Sequence, residues 1–165
     1  MTDDAQENDR QEIERLDKAW GDAASRGDLD GVVGMYAVDG SLVWPDQKAI
    51  HGIDGIRKAW KAMLKPPGLW IRFIAERIVV SGDLASDFGV VESRVPPTAK
   101  KQVTKYLVVW RREQGAWKVL YDSYNTNKAE APPTGGGGSV AAKPAAKKRV
   151  AAKKVVKKKA ARKKR

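Results

Sequence analysis

Between residues 9 and 26 the apolar side chains Ile13, Leu16, Trp20, Ala23 and Ala24 recur at three- and four-residue intervals. That spacing gathers side chains onto one face of an α-helix. Acidic residues crowd its start, where the helix dipole favours negative charge, and Gly27 stands just past its end as a C-cap. Asp28 can cap a second, shorter helix through about Tyr36, weakened by Gly31 and Gly34. Ser41 to Trp44 then reads as a short strand closed by Pro45. A third helix is predicted from about Asp54 to Lys65, with Ile53, Ile56, Trp60, Met63 and Leu64 on or near one face and Pro66 as its stop.

From Leu69 onward the texture changes to β-branched and aromatic residues broken by short turn signals. Leu69 to Val80, Leu84 to Val95, Val103 to Arg112 and Trp117 to Thr126 read as four successive antiparallel strands, separated by Ser81-Gly82-Asp83, Pro96-Pro97 and Gln114-Gly115. Helices first and a meander afterwards predict an α+β fold, one mostly antiparallel sheet curling around three helices.

Charge divides the chain in two. The last 23 residues carry 13 Lys or Arg and no Asp or Glu, whereas residues 1–142 carry 19 Lys or Arg against 20 Asp or Glu. The formal net charge of +12 therefore belongs to an appendage. The stretch Pro-Pro-Thr-Gly-Gly-Gly-Gly-Ser from Pro132 to Ser139 marks the boundary, because neither helix nor strand favours it. The expected organisation is a disordered N-terminus at 1–8, a folded domain at 9–127, a Pro/Gly-rich linker at 128–142 and a disordered polycationic tail at 143–165.

In the tail, Lys143, Lys147, Lys148, Arg149, Lys153, Lys154, Lys157, Lys158, Lys159, Arg162, Lys163, Lys164 and Arg165 alternate with Ala and Val pairs about five residues apart. On a helix such pairs scatter around the axis, so no apolar stripe forms for a membrane surface. Extended, 23 residues reach about 80 Å. Duplex DNA presents a phosphate every ~1.7 Å, so these cations are candidate sequence-nonspecific DNA or RNA contacts. The tail contains no aromatic, and its cations are expected to contact phosphates, which carry no sequence code. In composition the tail resembles linker-histone tails and the Lys/Ala-rich extensions of bacterial histone-like proteins. A nuclear localisation signal, a polyanion-binding segment and an engineered extension are the alternatives, the last because Gly-Gly-Gly-Gly-Ser is also a linker an engineer would write.

Composition excludes several chemistries. With no cysteine and one histidine there are no disulfides, no thiol nucleophile and no good set of zinc ligands. Gly-x-Ser-x-Gly, phosphate-loop and His-Glu-x-x-His patterns are missing, so no cofactor or metal is expected. No apolar run approaches the ~20 residues of a membrane span, and the acidic start is unlike a signal peptide. The expected location is cytoplasmic and nucleoid-associated, or nuclear in a eukaryote.

The motifs Leu16-x3-Trp20, Gly27-Asp28-Leu29-Asp30, Tyr36-Ala37-x-Asp39, Gly52-x3-Ile56, Val80-Ser81-Gly82-Asp83-Leu84-Ala85, Tyr106-Leu107-Val108-Val109-Trp110-Arg111-Arg112 and Trp117-Lys118-Val119-x2-Asp122-x-Tyr124-Asn125 follow one another in an informative order. In order and spacing, residues about 9 to 127 resemble a SnoaL-like domain of the nuclear transport factor 2-like superfamily. The resemblance implies a cone, a curved sheet wrapped around helices and open at one end, commonly dimerised through the sheet. It implies no single reaction, since the superfamily hosts isomerases, cyclases, hydrolases and assembly modules.

Isomerase chemistry of the ketosteroid type needs a carboxylate base in an apolar cavity and a donor facing the developing oxyanion. Alternation puts Tyr106, Val108 and Trp110 on one face of their strand, and Leu120, Asp122 and Tyr124 on one face of theirs. If those faces line the cone, Asp122 is the base and Tyr106 or Tyr124 the donor. Trp44, Asp46, Trp70, Trp110 and Asn125 are the candidate ligand-pocket residues for a small apolar ligand. Asp39 reads as a turn or cap residue and His51 as a loop histidine. Two functions compete: a ligand-binding or dimerisation cone fastened to nucleic acid by the tail, and a small-molecule isomerase or cyclase using acid/base catalysis.

Overall fold

The computed structural model describes residues 3–98 and 100–126. The linker and basic-tail readings lie outside the described residues. Within them the order is α1 (Asp3–Arg26), α2 (Leu29–Val33), β1 (Tyr36–Val43), β2 (Ile50–His51), α3 (Ile53–Leu64), β3 (Trp70–Ser81), β4 (Leu84–Arg94), β5 (Lys101–Glu113) and β6 (Ala116–Asn125).

Helix α1 buries Ile13, Asp17, Trp20, Ala23 and Ala24, the predicted stripe with one acid set into it. It starts at Asp3, so residues 3–8, expected in a disordered N-terminus, are helical. The acids are favourable at a helix N-terminus, and Glu7 accepts hydrogen bonds from Arg10 and Gln11 one turn on. Gly27, at φ 72°, ends the helix, and the Gly27 and Asp28 N–H groups bond back to Ala24 and Ala23. The Asp28 side chain then caps α2 by accepting from the Gly31 N–H at 2.8 Å.

The sheet order is β2-β1-β6-β5-β4-β3. β3 to β6 form the expected antiparallel meander, while β1 lies parallel to β6. Gln114 and Gly115, both at positive φ, make the two-residue turn between β5 and β6. Two differences from the sequence reading concern β1. It begins at Tyr36, assigned above to the second helix, because pairing with β6 outweighs a weak local helix preference. The two-residue strand β2, too short for a periodic signal, pairs with its far end.

Two bulges bend the sheet. Register slips between Ala75 and Arg77 against β4, and Leu120 is the extra residue of β6 opposite Val109 and Trp110. The second bulge corrects the face assignment: Trp117 and Val119 point inward before it, Asp122 and Tyr124 after it, and Leu120 does not share their row. Between helices and sheet, Trp20 is fully buried, stacked on Phe73 at 4.8 Å and edge-on to Tyr36 at 5.3 Å and Trp110 at 6.2 Å. Truncating such a side chain to alanine costs about 3–5 kcal/mol. On the outer face Val79, Leu84, Phe88, Val103, Leu107 and Tyr121 stay exposed.

Candidate functional site

Asp122 is buried on β6, in register with Leu42 of β1 and Val108 of β5. Three elements meet at its carboxylate. Trp60 of α3 donates its indole N–H to the Tyr36 hydroxyl at 2.9 Å, and that hydroxyl donates to Asp122 Oδ2 at 2.6 Å. Burial disfavours the charged form and pushes the Asp122 carboxyl up to about 6, with the Tyr36 hydrogen bond pulling the other way. Burial also holds the Tyr36 hydroxyl well above the usual phenol range, so it stays protonated and donates to the carboxylate.

The carboxylate opens on a cavity of about 180 Å³. Aromatic walls come from Trp44, Trp60, Phe73, Tyr106 and Tyr124, and aliphatic ones from Met63, Leu69, Ile71, Val91 and Val95. Ser93, Gln102, Thr104 and Thr126 add neutral polar groups. A desolvated carboxylate with a pKa near neutrality, in an apolar wall, can take a proton from a carbon or oxygen acid and hand it back.

Four of the sequence candidates come together here: Asp122, Tyr106, Tyr124 and Trp44 all line the cavity. Their hydroxyl geometry differs from expectation. Tyr106 lends only its ring, because its hydroxyl donates to Asp87 Oδ1 at 3.0 Å, and the donor actually on Asp122 is Tyr36. Tyr124 packs against Trp44 at 6.3 Å.

The other candidates lie elsewhere. Asp46 is exposed in the turn after Pro45 at φ 59°, and Asn125 is exposed, pairing with Lys105 on the outer face. Trp110 is wholly buried in the core against Trp20, and Trp70 sits under the Arg94 guanidinium at 5.3 Å. Strand alternation turns Trp70 and Asn125 off the cavity face, and the Leu120 bulge fits Trp110 beside Val119 in the core. Asp39, expected in a turn or cap, holds Arg111 through two hydrogen bonds of 2.6 and 3.2 Å. His51 Nδ1 meets Ser41 Oγ at 2.9 Å.

A second acidic cluster had no place in the sequence reading. Asp17 of α1 and Asp87 of β4 are both buried and close enough to share a hydrogen bond. Both Asp17 oxygens and Asp87 Oδ2 lack a well-aligned donor among the described residues. Burial raises both carboxyls, and the charge of Asp87 raises Asp17 further, so the pair retains one proton at neutral pH. Two signals were available: Asp17 falls on the apolar stripe between Ile13 and Trp20, and Asp87 falls two residues after the inward Ala85. No group of three or more His, Cys, Asp or Glu among the described residues could hold a metal ion. No described helix is long and apolar enough to cross a membrane.

A curved mixed sheet closed by N-terminal helices is the architecture of the nuclear transport factor 2-like fold. Solved structures agree. An NTF2-like protein with a cystatin-like fold from Novosphingobium aromaticivorans is similar at TM-score 0.64 and 18% identity, over 75% of this chain and 85% of that one. A protein of unknown function from Mycobacterium tuberculosis, solved as a single-residue variant, is similar at TM-score 0.66 and 19% identity, over 77% and 76%. A ketosteroid isomerase-like protein from Erwinia carotovora atroseptica is similar at TM-score 0.59 and 20% identity, over 72% and 96%. No protein with a curated description matches the chain. The SnoaL-like domain family model matches residues 18–120, and the chain belongs to that family.

Proposed function

We propose that the domain binds a small, largely apolar molecule in the cavity and carries out acid/base chemistry on it, with Asp122 as the base. The observation that carries this reading is the Asp122 carboxylate, buried in a cavity wall yet pushed up only to about 6, with the Tyr36 hydroxyl at 2.6 Å as its partner. Such a group is ionised at neutral pH and is a stronger base than an ordinary aspartate. Tyr124 faces the same space and is the available donor to an oxygen of the substrate, since Tyr106 is committed to Asp87. Isomerisation or cyclisation of a carbonyl compound fits this set. The general-base test is 5-nitrobenzisoxazole, whose ring opens when a base removes its C–H proton. Full-length protein should accelerate the opening with a pH midpoint near 6, and Asp122→Asn should abolish the acceleration. Equal rates for the two proteins would remove Asp122 from the chemistry.

The basic segment is read as a nonspecific tether to DNA or RNA, with the exposed outer sheet face as a homodimer contact that doubles the cationic arms. Engagement of all 13 cations gives a limiting salt slope of about −12. Binding of the full chain and of a chain ending at Ala131 to random duplex DNA tests it. Salt-steep affinity confined to the full chain is expected, and equal binding by both would overturn the tether. With that tether the protein belongs in the cytoplasm on nucleoid nucleic acid, or in the nucleus of a eukaryote.

A further inference from the structure

The cavity pairs its one carboxylate with an aromatic enclosure and has no built-in counter-charge. Trp44, Trp60, Phe73, Tyr106 and Tyr124 give it five rings, and among the described residues no Lys, Arg or His lines it. The nearest polar partner of Asp122 is the neutral Tyr36 hydroxyl, which satisfies one carboxylate oxygen without cancelling its charge. A buried carboxylate left uncompensated is costly, and faces of Trp, Tyr and Phe attract cations through the ring quadrupole. Both features select the same chemistry. We infer that the cavity is a site for an apolar organic cation, a tertiary or quaternary amine whose ammonium sits against Asp122 and the surrounding rings.

This deepens the reading of the cavity as a ligand site and rests on it. It narrows the substrate class from apolar molecules in general to amines with a compact hydrophobic body, and it gives Asp122 a role as counter-ion in the bound complex. A neutral ligand of the same shape leaves the carboxylate uncompensated, whereas a cation offsets it. The ammonium also favours the ionised form of Asp122, so binding should release a proton wherever the free carboxyl is partly protonated.

Three tyrosines face this carboxylate or share its wall. Tyr36, Tyr106 and Tyr124 are all held above the ordinary phenol range by burial and do not titrate near neutrality. His51 is bound to Ser41 in the row of Tyr121, whereas Asp122 pairs with Leu42. Neither Asp17 nor Asp87 lines the cavity, and the Tyr106 hydroxyl bonded to Asp87 is the link between the pair and the cavity among the described residues. Below neutrality, then, the pH dependence of cation binding reports on Asp122.

The experiment is calorimetric titration of the full-length protein with phenyltrimethylammonium, and with tert-butylbenzene as its uncharged counterpart of the same shape. The charge of the quaternary ligand is independent of pH. The cation should bind roughly tenfold or more tightly at pH 7.5 than the neutral counterpart. Its affinity should fall about tenfold between pH 7.5 and pH 5.0 as Asp122, at about 6, takes up its proton. Affinity for tert-butylbenzene should not fall over the same range. Trp44→Leu, at a half-buried position on the cavity rim of rings, should weaken the cation more than the hydrocarbon. Equal or tighter binding of tert-butylbenzene, or a pH-independent cation affinity, would overturn the amine assignment and leave the apolar-ligand reading standing. Failure of both ligands to bind would overturn the ligand-site reading as well.

Discussion

Replacing Asp122 by Asn should change how stability depends on pH, by an amount the site itself supplies. The carboxyl is shifted from its ordinary 3.8 to about 6 because the folded chain buries it. A raised acid means that the folded state holds a proton the unfolded chain has released. Its contribution is therefore most favourable below pH 3.8 and is lost as pH rises to about 6, after which it is constant. At 1.36 kcal/mol per pH unit, the rise from 3.8 to about 6 corresponds to about 3 kcal/mol in all, of which roughly 2 kcal/mol falls between pH 4.5 and 7.5. Asn cannot ionise, so the variant lacks this loss, while its amide oxygen still accepts from Tyr36. Urea unfolding of both proteins at several pH values measures the difference directly. Every other titrating group is common to the two, so the gap between the curves isolates Asp122. The gap should move by roughly 2 kcal/mol in favour of Asp122→Asn across that range. Parallel curves would mean that Asp122 ionises like an exposed aspartate, and the argument for a poised base would fall with them.

Asp17→Asn should flatten stability above pH 6, because an amide donates to Asp87 without a shared proton. Both acids are raised, so the wild type loses stability with rising pH until the folded-state pKa is passed, and urea midpoints at pH 6 and 9 check the difference. Tyr36→Phe leaves the Trp60 N–H without its acceptor and Asp122 without its donor, for a loss of about 1–3 kcal/mol in urea unfolding. It should also move the pH midpoint of 5-nitrobenzisoxazole opening upward, since that hydrogen bond lowers the Asp122 pKa. Gly89→Ala drives a methyl into the Ile74 carbonyl and within 3.0 Å of Ala75 Cα at the β3 bulge, costing about 1–3 kcal/mol or more in thermal unfolding. Gly82→Asn, at φ 62° with nothing near its Cβ, should cost less than about 1 kcal/mol by the same measurement.

The local patterns carried the architecture. The stripe Ile13-Leu16-Trp20-Ala23-Ala24 and the α3 face around Ile56 and Trp60 fold as helices, and the β-branched runs after Leu69 fold as the meander, because period and turn chemistry are properties of neighbouring residues. Alternation grouped Tyr124 with Asp122 on one strand face, and in the structure both line the cavity with Tyr106. The hydroxyl that bonds Asp122 was hidden, because Tyr36 reaches it only once β1 lies parallel to β6, a pairing 86 residues apart in sequence. Leu120 was assigned to the wrong face because a bulge is decided by how the sheet bends and not by the run of side chains. Asp17 and Asp87 lie far apart in sequence, one on a helix and one on a strand; only the packing of α1 on the sheet makes them one proton-sharing pair. Sequence alone settled α1, α3 and the four strands of the meander. Tertiary structure settled which acids lose their water, and burial, which no local pattern encodes, is what sets their chemistry.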